Sequence, residues 1–216
     1  MSGRDVVLAR VRDAQRRGLT SARSAPMGSQ PFPIGSKPSS IEAADGELVD
    51  LLEHRLIDFG AQVHRCKPDR AAVCVGSLMR SHRCGVAAVS ADLDRRLRPE
   101  GIELIEDRGL PPAVLSEVPA AITKARLAVA RTGTLLFDCG PGQGRRLLTL
   151  LPDVHVAIVE ATAVVWDVPE ALSALSLLGH PPITLTSGPS ATSDIELSRV
   201  EGVHGPRRLA VVVLEQ

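Results

Sequence analysis

Short apolar runs alternate with amphipathic segments along the chain from about residue 41 to residue 214. Short strands are predicted at residues 61–66, 85–90, 102–106, 154–159 and 183–186. The run at 209–214 is uninterrupted, as in a strand of a parallel sheet buried on both faces. Helical spacing before Gly60 is clearest in Leu48, Leu51, Leu52, Leu56 and Phe59. Residues 69–80 are compatible with a helix or a strand. Strands that alternate with helices are typical of βα units, so we predict an α/β fold with a mainly parallel sheet flanked by helices.

The first forty residues differ in composition from the rest. Residues 4–17 place apolar side chains on one face, which predicts an amphipathic helix that ends at Gly18. Residues 19–40 are rich in Ser, Pro, Gly and Ala, as in linkers or wrapping arms. We therefore predict a helix with its arm over residues 1–40 and one α/β domain over residues 41–216.

The overall composition excludes several function classes. Twenty-five basic and twenty-five acidic residues leave no net charge, and the chain has three Phe, one Trp and no Tyr. Nucleic-acid interfaces use basic patches and stacking rings, so we expect no nucleic-acid partner. No apolar run approaches the ~20 residues of a membrane span, and the N-terminus lacks the apolar region of a secretory signal. We therefore expect a cytoplasmic protein with no membrane span.

The four cysteines, Cys66, Cys74, Cys84 and Cys139, are far apart and form no C-x-x-C motif. Such spacing does not predict a zinc or iron–sulfur framework. Cys84 lies near His82, but one such pair supplies two ligands at most. We interpret the cysteines as buried free thiols in a reducing compartment and expect no metal site built from them.

The C-terminal segment contains a strand, two polar turns and a final strand. Residues 187–190 (SGPS) cannot continue the preceding strand, because proline lacks an N–H and glycine allows unusual backbone angles. Ser193 and Glu196 have the S-x-x-E spacing of a capping box, which predicts a short helix from about Asp194. Residues 204–206 (HGP) form the second turn before the last strand.

These turns concentrate hydrogen-bonding groups, and we predict that they bind a ligand. A helix N-terminus has unpaired N–H groups and a partial positive charge, and nearby hydroxyls add donors. In open α/β sheets, ligands bind at the carboxyl ends of strands, which is where we expect this cluster to lie. Each hydroxyl taken alone is more simply explained as a cap or a turn former. The four hydroxyls belong to Ser187, Ser190, Thr192 and Ser193.

Several segments resemble the signature of the LUD (lactate utilisation) domain family. Residues 188–196 (GPSATSDIE) and 202–206 (GVHGP) match the family's C-terminal pattern. Residues 146–155 (RLLTLLPDVH) resemble its R-x-L-[ST]-L-L-P-x-x-H segment, and residues 132–134 (TGT) resemble a further turn. Arg131 stands where relatives usually carry an acid. This chain therefore either lacks the role of that acid, binds a more anionic ligand, or simply exposes Arg131 in a loop.

The resemblance implies a ribose-phosphate-isomerase- and CoA-transferase-like fold and a role in the oxidation of L-lactate to pyruvate. By that likeness the chain is a cluster-free subunit or accessory protein. It would have no cofactor of its own and would work with iron–sulfur lactate-utilisation partner proteins. The implied pocket takes a small carboxylate or phosphate, and Asp194 and Glu196 either orient its donors or a metal, or simply favour the helix N-terminus. The implied ligand-binding residues are Thr132, Gly133, Thr134, His155, Ser187, Gly188, Ser190, Thr192, Asp194, Glu196 and His204.

Two motifs suggest other functions, and both fit the chain less well. Residues 140–144 (GPGQG), with Glu160 at the end of the next strand, resemble the first motif of Rossmann-like methyltransferases. The chain after them is too short for the strands such a fold still needs, so we interpret them as a flexible surface turn. Ser190 lies in a context similar to a nucleophile elbow, but Thr192 replaces the second glycine.

Three function classes therefore stay open. The chain is a subunit of a lactate-oxidising complex, or a stand-alone enzyme acting on a small carboxylate, CoA ester or sugar phosphate, or a ligand sensor. A homo-oligomer is compatible with each of them. The sequence identifies no catalytic residue, and the fold alone does not choose among the three classes.

Overall fold

The computed structural model of the chain describes residues 45–176, 182–192, 200–201 and 205–215. The predicted N-terminal helix and arm, and with them the division at residue 40, lie outside these ranges. No helix within these ranges is long and apolar enough to cross a membrane. The α-helices are α1 (Asp45–Asp58), α2 (Ala71–Ser81), α3 (Pro112–Glu117) and α4 (Val168–Ser176). The strands are β1 (Gln62–Cys66), β2 (Val86–Ser90), β3 (Glu103–Asp107), β4 (Ala120–Lys124), β5 (Leu127–Val129), β6 (Thr134–Phe137), β7 (Val154–Glu160), β8 (Val164–Val165), β9 (Thr184–Thr186), β10 (Ala191–Thr192), β11 (Val200–Glu201) and β12 (Arg208–Leu214).

Six parallel strands form the main sheet, in the order β1-β12-β7-β4-β2-β3. Ala210 of β12 is opposite Gln62 of β1 on one side and Val156 of β7 on the other. The predicted α/β fold with a mainly parallel sheet flanked by helices is therefore confirmed. Each predicted strand is present, and its ends agree with the prediction to within one residue.

The continuous apolar run of β12 follows from its burial on both faces. Val211 and Val213 share a buried cluster with Leu52 of α1. Val212 belongs to a second cluster, together with Leu78 of α2. Successive side chains of a strand point to opposite faces, so a central strand covered by helices on both faces is apolar at every position.

Residues 69–80, which were compatible with either a helix or a strand, are mainly helical. A 3₁₀ turn at Pro68–Arg70 leads directly into α2. The buried face of α2 consists of Ala71, Val75, Leu78 and Met79 with Gly76. These positions recur every three or four residues, which is the helical period.

A second, smaller sheet lies beside the main one, in the order β8-β5-β6-β9. β5 and β6 form an antiparallel hairpin around residues 130–133, and β9 pairs antiparallel with β6. β10 and β11 form a separate two-residue antiparallel pair. The sequence analysis did not predict a second sheet. It matters for function because it directs the end of β9 away from the carboxyl edge of the main sheet.

The cysteines do not all match the prediction of buried thiols. Cys84 is buried, and Cys66 and Cys74 are partly buried between β1 and α2. Cys139 is exposed, so the prediction was wrong for this residue. It lies in the turn after β6 with a φ of 59°, a backbone angle that tight turns impose. All four are free thiols.

Candidate functional site

The two polar turns of the C-terminal segment lie side by side. The backbone N–H of Ser190 donates a hydrogen bond to the Pro206 carbonyl at 2.8 Å. Gly205 lies so close to Ser190 that a Cβ atom on the glycine would be 3.2 Å from the serine Cβ. The SGPS turn and residues 205–206 of the second turn thus form one structure, and Pro206 leads from it into β12.

A chain of hydroxyl groups joins the SGPS turn to the TGT turn. The Oγ1 atoms of Thr132 and Thr134 are 2.7 Å apart, and Thr134 Oγ1 is 2.7 Å from Ser187 Oγ. Both turns pack against the C-terminal end of α1. A Cβ on Gly133 would be 2.8 Å from the Arg55 Cβ, and one on Gly188 would be 2.7 Å from the Phe59 Cβ. These two glycines are therefore required by close packing as well as by their positive φ angles of 58° and 86°.

A cavity of about 500 Å³ opens beside these turns. Among the described residues of its wall, Arg146 is the only one that carries a formal charge at neutral pH. Thr149, Ser187 and Ser190 add hydroxyls to the wall. The complete lining is Arg146, Thr149, Leu150, His155, residues 183–190, Gly205, Pro206 and Leu209. One cation and several donors make this cavity suited to an anionic ligand.

The cavity lies at the amino ends of two main-sheet strands, which corrects the prediction of a carboxyl-edge site. His155 is the second residue of β7, and Leu209 is the second residue of β12. The physical reason is the second sheet. β9 runs antiparallel to β6 in that sheet, and its end at Thr186 leads into the SGPS turn, which Pro206 ties to the start of β12.

His155 forms a fully buried, uncharged part of the cavity wall. Its Nε2 atom is 2.8 Å from Thr123 Oγ1, and its ring centre is 5.3 Å from that of Phe137. Nδ1 has no hydrogen-bond partner among the described residues. Burial disfavours the charged imidazolium and lowers the pKa of His155 to about 4. At neutral pH the ring is therefore a neutral group with one unused polar atom.

The predicted site residues fall into four groups. Ser187, Gly188, Ser190 and His155 line the cavity, whereas Thr132, Gly133 and Thr134 adjoin it through the hydroxyl chain. Thr192 lies in β10. Asp194, Glu196 and His204 lie outside the described residues, as do the predicted helix and its capping residue Ser193.

Sequence reasoning missed Arg146 and Thr149 as site residues. Both belong to the segment of residues 146–155 that also contains His155, so the segment as a whole was the available signal. A 3₁₀ helix over Arg146–Thr149 brings them to the cavity, and Thr149 donates a hydrogen bond to the Arg146 carbonyl at 2.9 Å.

The glycine-rich segment at 140–144, which we interpreted as a flexible surface turn, has Pro141 exposed and is hydrogen-bonded to the end of β6 through Gln143. Gln143 is buried, accepts a hydrogen bond from the Asp138 N–H at 2.8 Å and donates one to the Asp138 carboxylate at 2.6 Å. A Cβ on Gly142 would be 3.1 Å from the Cδ of Lys124. The Lys124 side chain occupies the space that the missing side chain of Gly142 leaves open. These glycines therefore do not form a phosphate-binding turn of the dinucleotide type.

The chain is similar in sequence and in fold to several known proteins. The sequence model of the LUD domain matches residues 113–214 of the chain. Lactate utilization protein C of Deinococcus radiodurans is 35% identical over 211 residues, which cover 94% of this chain and 96% of that protein. A protein of the same name from Halalkalibacterium halodurans is 26% identical, with 81% and 82% of the two chains covered. The crystal structure of a DUF162 family protein from Deinococcus radiodurans superposes with a TM-score of 0.68 and 26% identity, covering 80% of this chain and 99% of that one.

Proposed function

The chain belongs to the LUD domain family, and from this membership we propose that it is a cluster-free subunit of a system that oxidises L-lactate to pyruvate. A general role in lactate utilisation follows from its relatives, several of which are named lactate utilization protein C. In the proposed system, iron–sulfur partner proteins complete the reaction. This chain contributes the pocket that binds the substrate as a small carboxylate anion.

The observation that supports this pocket is the combination of one cation with convergent donors in the 500 Å³ cavity. The Arg146 guanidinium pairs with a carboxylate, and such charge-assisted bonds are roughly twice as strong as neutral ones. Ser187 and Ser190 donate to the same group.

The chemistry assigned to this chain is binding and orientation. Conversion of L-lactate to pyruvate removes two electrons and two protons, one proton from C2 and one from its hydroxyl group. The protons pass to solvent, and iron–sulfur clusters in the partners would receive the electrons. Fixing the carboxylate through Arg146 and the serines places the 2-hydroxyl at a defined position, and such positioning lowers the barrier to reaction.

A larger ligand is the second candidate, and the size of the cavity favours it. A volume of about 500 Å³ is within the range of pockets that hold drug-sized ligands, whereas lactate has only six heavy atoms. A sugar phosphate or a CoA ester would fill more of the space and present an anion to Arg146. In that case the chain is a stand-alone enzyme or a sensor, as the CoA-transferase-like fold implied by the resemblance would allow.

Ligand titration of the purified chain separates these alternatives. We expect L-lactate or pyruvate to raise the melting temperature saturably, and we expect Arg146→Gln and Ser187→Ala each to weaken binding at least tenfold. Arg95→Gln, a matched substitution in the 3₁₀ turn after β2, should bind like the parent. Tighter binding of a sugar phosphate or CoA ester than of either carboxylate would support the second candidate and contradict the first.

Reconstitution tests the subunit role. We expect the chain to co-purify with iron–sulfur partner proteins, and we expect lactate-dependent reduction of an electron-accepting dye only when chain and partners are combined. Lactate oxidation by the chain alone would identify it as a stand-alone enzyme. Dye reduction by the partners at the same rate without the chain would contradict the proposal.

A further inference from the structure

A second cavity, of about 640 Å³, lies at the carboxyl edge of the main sheet. Five of the six parallel strands end around it. Pro68 and Asp69 follow β1, Asp94 and Arg96 follow β2, and Lys124, Glu160 and Leu214 are the last residues of β4, β7 and β12. β7 separates this cavity from the first one. His155 near its start and Glu160 at its end are five residues apart, which is roughly 16 Å along a strand.

The connections of the sheet explain why a crevice forms at this edge. From β2 the chain continues outward to β3, at the edge of the sheet. From β4 it continues in the opposite direction, to β7. β2 and β4 are neighbours, so the sheet has a topological switch point between them. In open α/β sheets, ligands bind outside the carboxyl ends of the strands at such a point.

The charges in this cavity do not favour a phosphate. Arg96 is held by Asp94, with Nη2 to Oδ2 at 2.7 Å and Nε to Oδ2 at 3.1 Å. Lys124 Nζ donates to Glu160 Oε1 at 2.8 Å. Asp69 has no ion pair among the described residues, so the described part of the wall has one more acid than base. An incoming anion would find both cations already paired.

The same wall contains hydrogen-bond acceptors and apolar side chains. One oxygen of Glu160 accepts from Lys124, which leaves the second oxygen for a ligand, and Asp69 offers two more. Pro68, Leu97 and Leu214 give the cavity an apolar side. A ligand that fits has hydroxyl donors at one end and a flat apolar body at the other, and it carries no phosphate.

The glycine-rich segment extends this site. A smaller cavity of about 220 Å³ adjoins the 640 Å³ cavity, with which it shares Lys124 and Glu160. Its wall includes Pro141 and Gln143. The Lys124 side chain packs on Gly142 and donates a hydrogen bond to Glu160. The glycine turn therefore helps to position Glu160 through Lys124. The glycine turn at 140–144 and Glu160, which together resemble a nucleoside-binding motif, do lie close to each other. The space beside Gly142, however, is occupied by the Lys124 side chain.

We propose that the carboxyl-edge cavity binds a ribonucleoside without a phosphate, through hydrogen bonds from its ribose hydroxyls to Glu160 and Asp69. The base packs against the apolar side formed by Pro68 and Leu97. This site is separate from the lactate pocket at the amino edge, and its occupancy does not depend on the function proposed above.

Calorimetric titration of the full chain with adenosine tests this proposal, with 2′,3′-dideoxyadenosine and AMP as comparison ligands. We expect saturable adenosine binding that weakens at least tenfold when the ribose hydroxyls are absent, and AMP to bind no more tightly than adenosine. Glu160→Gln and Asp69→Asn should each weaken adenosine binding at least tenfold. Ser187→Ala, at the other edge, should leave it unchanged.

Three results would overturn the assignment. They are no binding of adenosine at millimolar concentration, equal binding of the dideoxy compound, and an affinity that neither acid substitution alters. AMP that binds more tightly than adenosine would show a phosphate site instead. Both substituted residues are surface-accessible, with 52% of the Glu160 side chain exposed, so unchanged melting temperatures are expected and provide the folding control.

Discussion

His155 makes the stability of the protein sensitive to mild acid. Burial lowers the pKa of His155 from 6.5 to about 4, so the unfolded chain takes up a proton over a range in which the folded chain does not. The contribution of the neutral His155 ring to the unfolding free energy is fully present above pH 6.5 and is lost as the pH falls toward 4. The loss is on the order of 3 kcal/mol. We expect His155→Gln to flatten the pH dependence of the unfolding free energy between pH 6.5 and 4.5, as measured by urea denaturation.

His54→Gln provides the matched control for this experiment. The His54 side chain is 70% exposed on α1, so its replacement should leave the acid dependence as steep as in the parent chain. An unchanged slope in His155→Gln would show that other groups cause the acid sensitivity and would contradict the neutral, buried state of the ring.

Gly188 is a residue at which a single methyl group should be costly. Its φ of 86° disfavours any side chain, and a Cβ atom would lie 2.7 Å from the Phe59 Cβ and 2.9 Å from the Phe59 carbonyl oxygen. We expect Gly188→Ala to lower the unfolding free energy by about 2 kcal/mol or more. Gly46→Ala, in the first turn of α1 with nothing within 4 Å, should change stability little or raise it by up to about 1 kcal/mol. Equal stability of both variants in chemical denaturation would contradict the packing of the SGPS turn on α1.

At the scale of elements, one partly buried ion pair joins the end of β3 to the segment after the glycine turn, with the Arg145 side chain 36% exposed. Arg145 Nε and Nη2 donate to the two carboxylate oxygens of Asp107 at 2.5 and 2.8 Å, and the Asp107 side chain is 1% exposed. The backbone N–H groups of Gly109 and Leu110 donate to the same carboxylate. Burial acts to raise the pKa of Asp107, but these hydrogen bonds outweigh it and the pKa is lowered. The carboxylate therefore stabilises the fold above its ordinary pKa, and the effect is lost as the pH falls below that value.

We expect Asp107→Asn to lower the unfolding free energy at pH 7 by about 2 kcal/mol, because it leaves Arg145 without its countercharge. The difference from the parent should shrink as the pH falls below 4, because the unfolded parent then takes up a proton that the folded carboxylate, with its lowered pKa, resists. Asp94→Asn, which also removes a carboxylate bound to an arginine but at the surface, should have little effect. A comparable loss in both variants would show that burial does not determine the strength of this link.

The C-terminal end of α1 connects the parts of the amino-edge site. The TGT turn contacts it at Arg55 and the SGPS turn contacts it at Phe59, while Thr134 and Ser187 join the turns to each other. The positions of these hydroxyls therefore depend on one helix end. The sequence predicted this helix and its end at Gly60, but it gave no sign that both turns pack there, because glycine contacts across the fold leave no periodic pattern.

For the whole molecule, the sequence predicted the features that long apolar runs determine, namely the central strands and the parallel main sheet. β7 and β12 are buried on both faces, so their continuous apolar sequences identified them and implied the parallel sheet. The second sheet escaped prediction because its strands are two to four residues long and their pairing is set by tertiary contacts.

The location of the site depended on that second sheet. Ser187, Gly188 and Ser190 were identified because they interrupt a strand, and His155 because of the family resemblance. They were placed at the wrong edge because β9 was taken to belong to the main sheet, whereas it pairs with β6. The carboxyl-edge cavity was not predicted at all, because Asp69, Asp94 and Glu160 come from three separate strand ends and have no common motif.

The position of β12 has a consequence for synthesis of the protein. It follows all other main-sheet strands in chain order, yet it lies between β1 and β7 and is the only main-sheet neighbour of β1 among the described strands. During synthesis, β1 therefore has no main-sheet partner until β12 has emerged from the ribosome. One edge of β7 stays unpaired over the same period. Such edges recruit other chains, so a truncated or stalled product is prone to aggregate. Assembly of the main sheet therefore depends on β12, the last of its strands in chain order.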